Sequence, residues 1–201
     1  DIISHGLAYL ARYNPAQALD FWQRFSGEQT FSEAQQRKVE HAIAQQSLFS
    51  RTQANLGWLS GALARLADDK LIEIRLRWAL REQDWEGLTN TLPLLSAEAR
   101  NRAVWQYWHS RYLSHAGEEQ KARQILQTLA AERDYYGFLA ADRLGKTYSF
   151  NNRPLVLQAA QTDGVRQLPA VRRIGELNYH LEQQEAHSEW FKVLQDTDSE
   201  D

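Results

Sequence analysis

The sequence predicts an all-α protein, an irregular α-solenoid or superhelix of antiparallel helix pairs in the tetratricopeptide style, on three observations. Unbranched helix formers dominate: 26 Leu and 25 Ala stand against 6 Val, 7 Ile and 8 Thr, with only 10 Gly and 4 Pro, so the β-branched residues that fill strands are scarce. Apolar residues recur at helical spacing, punctuated by start and stop signals, along most of the chain. An internal repeat joins two successive helix pairs at an offset of 34 residues, the distance from Leu71 to Trp105.

In chain order, Ile3, Leu7 and Leu10 make the face of a first helix that stops before Asn14-Pro15, where Asn can cap and Pro can open the next helix. Ala18, Trp22 and Phe25 form the second face. Ser32 with Gln35 is a capping-box pattern ahead of Val39, Ala42 and Ile43, and Ser50 with Gln53 repeats it. Further helices are expected at 52–66, 70–83, 84–93, 97–115, 118–131 and 135–144, with Asp69, Ser96 and Asp134 as caps and Gly145 as a stop. In the repeat, Leu71, Ile74, Arg77 and Trp78 map onto Trp105, Trp108, Arg111 and Tyr112, while Leu88, Leu92 and Leu95 map onto Ala122, Leu126 and Leu129. The offset fails before 70 and after 135, so the array is degenerate. The expected organisation is a solenoid over 1–145, a connector over 146–164 with a short helical turn near 155–160, a helix pair over 165–195, and a disordered acidic tail at 196–201.

Composition excludes several classes. Net charge is -3 with 24% charged residues, and no block of Lys or Arg offers an electrostatic footprint for nucleic acid. No apolar run approaches the roughly 18 residues of a membrane span. The absence of Cys removes disulfides and thiolate chemistry without choosing a compartment. A chain that begins Asp1-Ile2-Ile3 and contains no Met is expected to be mature or trimmed material.

Catalytic patterns are missing. The six His residues, at 5, 41, 109, 115, 180 and 187, form no His-x-x-x-His pair; His180 and His187 share a face only on an unbroken helix, about 10 Å apart, too far for one metal. Phosphate-binding Gly loops and a Gly-x-Ser-x-Gly elbow do not occur. Glu118-Glu119 and Asp68-Asp69 sit where acids favour a helix dipole. Glu73, Arg77 and Arg81 read as a solvated ion-pair ladder. The alternative is a basic stripe, Arg75, Arg77, Arg81, Arg100, Arg102 and Arg111, offered to an acidic polymer. Trp105, Trp108 and Tyr112 have the spacing of a solenoid core, yet aromatic faces also stack on sugars, which makes Trp85, Trp105 and Tyr107, with Arg77 and Arg81, candidate glycan contacts.

The segment Arg133-Asp-Tyr-Tyr-Gly-Phe-Leu-Ala-Ala-Asp-Arg-Leu-Gly145, preceded by Leu71-Ile-Glu-Ile-Arg-Leu-Arg-Trp-Ala-Leu80, Trp105-Gln-Tyr-Trp108 and Ala122-Arg-Gln-Ile-Leu126, resembles the superhelical and linker region of soluble lytic murein transglycosylases. The resemblance is strongest over 70–145 and 165–195. It implies a periplasmic protein that cleaves the MurNAc-GlcNAc linkage of peptidoglycan, leaving a 1,6-anhydro ring, with no cofactor and no metal. In that family the chemistry belongs to a lysozyme-like domain marked by Glu-Ser, Gly-Leu-Met-Gln and Ala-Tyr-Asn-Ala-Gly. None of these occurs here, so this segment is expected to be the non-catalytic scaffold and a platform for glycan strands, partnered by the lysozyme-like domain of the same protein. None of its 15 Glu residues receives the catalytic role. By the same resemblance, Tyr135, Tyr136 and Arg143 are docking and packing candidates where the solenoid turns toward the linker, and Trp190 is expected to pack in the linker helix pair. The alternative reading is a tetratricopeptide-like adaptor for a peptide or protein.

Overall fold

The computed structural model describes residues 2–152, 154 and 159–196. Among them there is no strand, and the chain divides into two compact units, Asp1–Asn151 and Asn152–Asp201. The first unit holds α1 (Ile2–Leu10), α2 (Pro15–Glu28), α3 (Glu33–Phe49), α4 (Leu56–Leu66), α5 (Asp69–Glu82), α6 (Trp85–Thr91), α7 (Ala97–Arg100), α8 (Ala103–His115), α9 (Glu119–Leu129) and α10 (Tyr135–Leu144). The helical solenoid predicted from composition and period is the observed architecture.

Local chemistry sets many of the boundaries. Asn14 accepts from the Gln17 N–H and Pro15 opens α2; Ser32 and Gln35 complete a reciprocal capping box on α3. Asp134 caps α10 by accepting from the Gly137 N–H at 2.7 Å, and Gly145 ends it in the left-handed region at φ 63°. Three expectations are corrected. Ser50 closes α3, its hydroxyl donating to the Gln46 carbonyl at 2.6 Å, and α4 is entered through a 3₁₀ turn at Gln53–Asn55. Asp68 rather than Asp69 caps α5; the Asp69 carboxylate instead accepts from the Ser96 backbone N–H and hydroxyl, at 2.8 and 2.6 Å. The helix expected over 97–115 is broken at Asn101-Arg102, where Arg102 is extended at φ -63°, ψ 141°. At that break Gln106 Nε2 donates to the Arg100 carbonyl at 2.9 Å, and the Ala99 carbonyl accepts from the Arg102 N–H at 3.1 Å and from Arg102 Nε at 3.4 Å.

The repeat is structural. The helix pair α5 and α6 corresponds to α8 and α9, and Leu71/Trp105, Leu88/Ala122, Leu92/Leu126 and Leu95/Leu129 are all buried. The core of this unit separates into three clusters. Leu7, Ala18, Trp22, Val39 and Ile43 hold α1–α3; Leu63, Ile72, Leu76, Leu88 and Trp105 lead the second; Tyr107, Leu126, Leu129, Ala140 and Ala141 form the third. Half-buried Trp58 packs against the first and second clusters, and half-buried Trp108 against the second and third. Where α10 starts beside the end of α9, Gly137 is required by space. A Cβ there would lie 2.3 Å from the Glu132 carbonyl oxygen and 2.9 Å from that of Leu129.

The second unit contains α11 (Ala159–Gln167), α12 (Pro169–Tyr179) and α13 (Gln183–Asp196). The last two pack as an antiparallel pair tied by Arg173, whose Nε donates to Glu189 at 2.8 Å. Helix α11 starts inside the stretch expected to be a connector; its sequence, with Gly164 and few large apolar residues, carries little period to read. Pro169 then opens α12. His180 caps the end of α12 and Leu181 turns the chain at φ 65°, so His180 does not share the helix α13 that carries His187. Residues 155–158 of the expected turn, and residues 197–201 of the expected tail, lie outside the described residues.

Candidate functional site

The structure dismantles the arginine stripe on α5. Glu73 is buried, and it pairs with Arg77 at 2.8 Å and also with Arg102. The expected solvated ladder is therefore corrected: its acid is inside, and Arg81 makes no ion pair among the described residues. Arg75 is also buried. It donates to Asp84 at 2.9 Å and lies 5.2 Å from the Trp78 ring centre. Burial alone would raise the Asp84 pKa, but the Arg75 hydrogen bond, the Gly87 N–H and the Arg75 charge together hold it below the ordinary carboxylate value. Three members of the stripe are thus committed to internal pairs. Arg81 and Arg77 border a shallow hollow with Leu48, Phe49, Ile74 and Trp78.

The aromatic candidates separate by burial. Trp105 is 0% exposed and Tyr107 5%, which corrects both as glycan contacts, since neither ring has a face open to a ligand. Trp105 packs in the second core cluster, with the Arg77 guanidinium 5.7 Å from its ring centre. Tyr107 packs in the third cluster against Trp108 and Tyr136, with ring centres 5.6 and 5.7 Å away. Trp85 remains available. It is half-buried, stacks on His115 at 5.0 Å, and with Trp108, Arg111 and Asp84 lines a pocket of about 370 Å³.

At the end of the solenoid, Tyr135 is exposed and meets Tyr136 edge-on at 5.2 Å, while Tyr136 reaches into the third cluster. Arg143 is exposed. In the second unit Trp190 is partly exposed and borders a hollow of the α12/α13 pair with Ile174, Asn178 and Ala186.

One arrangement was not anticipated. Arg111 of α8, Arg123 of α9 and Arg143 of α10 line a single open cleft of about 550 Å³ together with Ser114, Glu119 and Leu126. Arg111 also lines the Trp85 pocket, so the cleft and the pocket adjoin. Arg123 had no sequence signal, because the three arginines stand 12 and 20 residues apart on different helices and share no period. No group of three His, Asp or Glu residues suited to a metal occurs among the described residues. His109, on α8, is pushed below its ordinary pKa first by burial, with the Arg100 charge adding to it against Glu118.

No family model matches the chain. It is 34% identical over 145 residues to the soluble lytic murein transglycosylase of Salmonella typhimurium, covering 71% of this chain and 22% of that protein. The Escherichia coli protein of the same name is 34% identical over 139 residues, covering 68% of this chain and 21% of its own length. The chain thus spans about a fifth of the length of the curated relatives it matches. Among solved structures, the 70-kDa soluble lytic transglycosylase of E. coli superposes with a TM-score of 0.77 at 29% identity, covering 93% of this chain and 30% of that one. An inactive mutant of the lytic transglycosylase Slt from Pseudomonas aeruginosa gives 0.76 at 28% identity, covering 94% of this chain and 31% of that one. Together with the helix-pair solenoid, these likenesses show that the chain belongs to the soluble lytic murein transglycosylase family, as a superhelical part of such a protein.

Proposed function

We propose that this chain is the non-catalytic superhelical and linker region of a periplasmic lytic transglycosylase, an enzyme that cleaves peptidoglycan strands at MurNAc-GlcNAc bonds to 1,6-anhydro products. The region acts as the scaffold for a lysozyme-like domain and as a platform that holds a glycan strand away from the chemistry. The observation that carries the reading is the likeness to solved lytic transglycosylases over 93% of the chain. A platform role draws support from the surface itself. Trp85 offers a partly open ring beside Arg111, a pairing suited to sugars that bear carboxylates. Tyr135, exposed at the start of α10, is the docking contact in this reading; Tyr136 braces it from the core and Trp190 steadies the linker helix pair.

The test is co-sedimentation with purified murein sacculi, backed by titration with soluble glycan strands. Retention on sacculi and saturable strand binding are the expected results. Failure to sediment, with peptides bound in the groove instead, would replace the platform by the adaptor alternative.

A further inference from the structure

The cleft formed by Arg111, Arg123 and Arg143 differs from the other charged surfaces described above. Arg75 is paired with Asp84, and Arg77 and Arg102 share Glu73, whereas none of the three cleft arginines is paired with an acid among the described residues. They come from three consecutive helices and meet around about 550 Å³ of open space. One carboxylate, Glu119, lines the same space, and it accepts from the Ser114 hydroxyl at 3.2 Å. Its acidic neighbour Glu118 is occupied by Lys121. The cleft therefore carries two net positive charges, three Arg less one Glu, on a chain whose net charge is -3. Convergent guanidiniums repel one another and gain most from an anion with more than one carboxylate, which they grip through paired N–H donors. Through Arg111 the cleft adjoins the Trp85 pocket, so one ligand can place an apolar or sugar face on the tryptophan and its carboxylates among the arginines.

We propose that this cleft binds the carboxylates of the peptide stems carried by peptidoglycan glycan strands, with Arg111, Arg123 and Arg143 as the recognising residues and Trp85 as the adjoining stacking surface. This rests on the platform reading and deepens it: the solenoid reads strands that bear stems in preference to bare ones.

The experiment compares the 201-residue chain with Arg123→Gln and Arg143→Gln, both exposed positions, in titrations with glycan strands that keep their stems and with strands stripped of them by an amidase, the lactyl carboxylates so freed being capped as primary amides. Circular dichroism identifies variants that keep the native helix content. The wild type is expected to bind stem-bearing strands about tenfold or more tighter than stripped ones, and each substitution to remove about tenfold of that preference while leaving stripped-strand binding unchanged. Equal wild-type affinity for both strand types overturns the stem site and leaves the platform standing. Binding to neither strand overturns both. Variants with wild-type preference overturn the assignment to these arginines, and tighter binding of an unrelated acidic peptide than of stem-bearing strands overturns it in favour of a protein partner.

Discussion

Gly137→Ala is expected to destabilise the solenoid, against the rule for a helix interior. By propensity alone, replacing a helical Gly by Ala stabilises by about 0.5–1 kcal/mol. At this position the added methyl would sit 2.3 Å from Glu132 O and 2.9 Å from Leu129 O, both backbone atoms. A comfortable carbon-to-oxygen approach is about 3.3 Å, so the turn joining α9 to α10 must retreat by about 1 Å. That turn is held by the Glu132 N–H bonding to the Leu129 carbonyl at 2.9 Å and by the Gly137 N–H on Asp134, and the third core cluster packs directly beneath. Overpacking costs about 1–3 kcal/mol; at about 2 kcal/mol, the middle of that range, for a methyl driven onto two backbone oxygens, it outweighs the propensity gain and leaves a net loss of about 1–1.5 kcal/mol, or about 2–6 °C in Tm for a chain of this size. Gly6→Ala is the control: Gly6 lies in α1 with nothing within 4 Å of its built Cβ, and the same substitution there should stabilise. Urea denaturation followed by circular dichroism reads both. A Gly137→Ala protein as stable as the wild type would refute the close approach of α9 and α10.

Trp105→Ala, at a fully buried ring, should cost about 3–5 kcal/mol in the same assay. Trp85→Ala should cost about 1 kcal/mol, because the half-buried ring packs on the second core cluster and on His115, and should weaken glycan-strand binding about three- to tenfold, as measured by titration. Asp134→Ala removes the α10 cap and should cost about 1 kcal/mol, seen as faster amide exchange in the first turn of α10. Acid sensitivity has a defined sign. Asp69, held low by its Ser96 hydrogen bonds, and Asp84 both have folded pKa values below the ordinary 3.8, so their contribution is complete above 3.8 and is lost progressively below it, as pH falls through the folded values. His109 is depressed from 6.5; its contribution is present above 6.5 and declines below. Urea midpoints measured from pH 7 to pH 3 should therefore fall gently at first and then steeply, with His109→Gln removing the gentle part.

Signals confined to a few neighbouring residues were legible before the fold was known. Asp134 and Gly145 bracket α10 at its observed limits because a cap and a left-handed stop act within one turn. The break at Asn101-Arg102 contains neither Gly nor Pro and is sustained by side chains folding back on the Ala99 and Arg100 carbonyls, so no local rule flags it. Charge pairing was misread for a related reason. Glu73 finds Arg102 across 29 residues, and only the packing of α8 against α5 brings them together. Tyr107 shows the limit of reasoning from a single apolar stripe. It lies off the Trp105, Trp108, Tyr112 line, yet it is buried, because α8 sits between two core clusters and is covered on two faces. The arginine cleft was illegible because its members share a place in space without sharing a spacing in sequence.

The division of the solenoid core into three clusters, bridged by Trp58 and Trp108, bears on how the molecule comes apart. Where helices interact chiefly with their neighbours, rupture can stop at a seam rather than run through the whole structure. Each of these seams is spanned by an indole, so a chain pulled or warmed to the point of partial opening announces the event through the emission of the tryptophan that straddled it. Emission differences between the wild type and Trp58→Phe, and between the wild type and Trp108→Phe, would then isolate the signal of each joint of the scaffold.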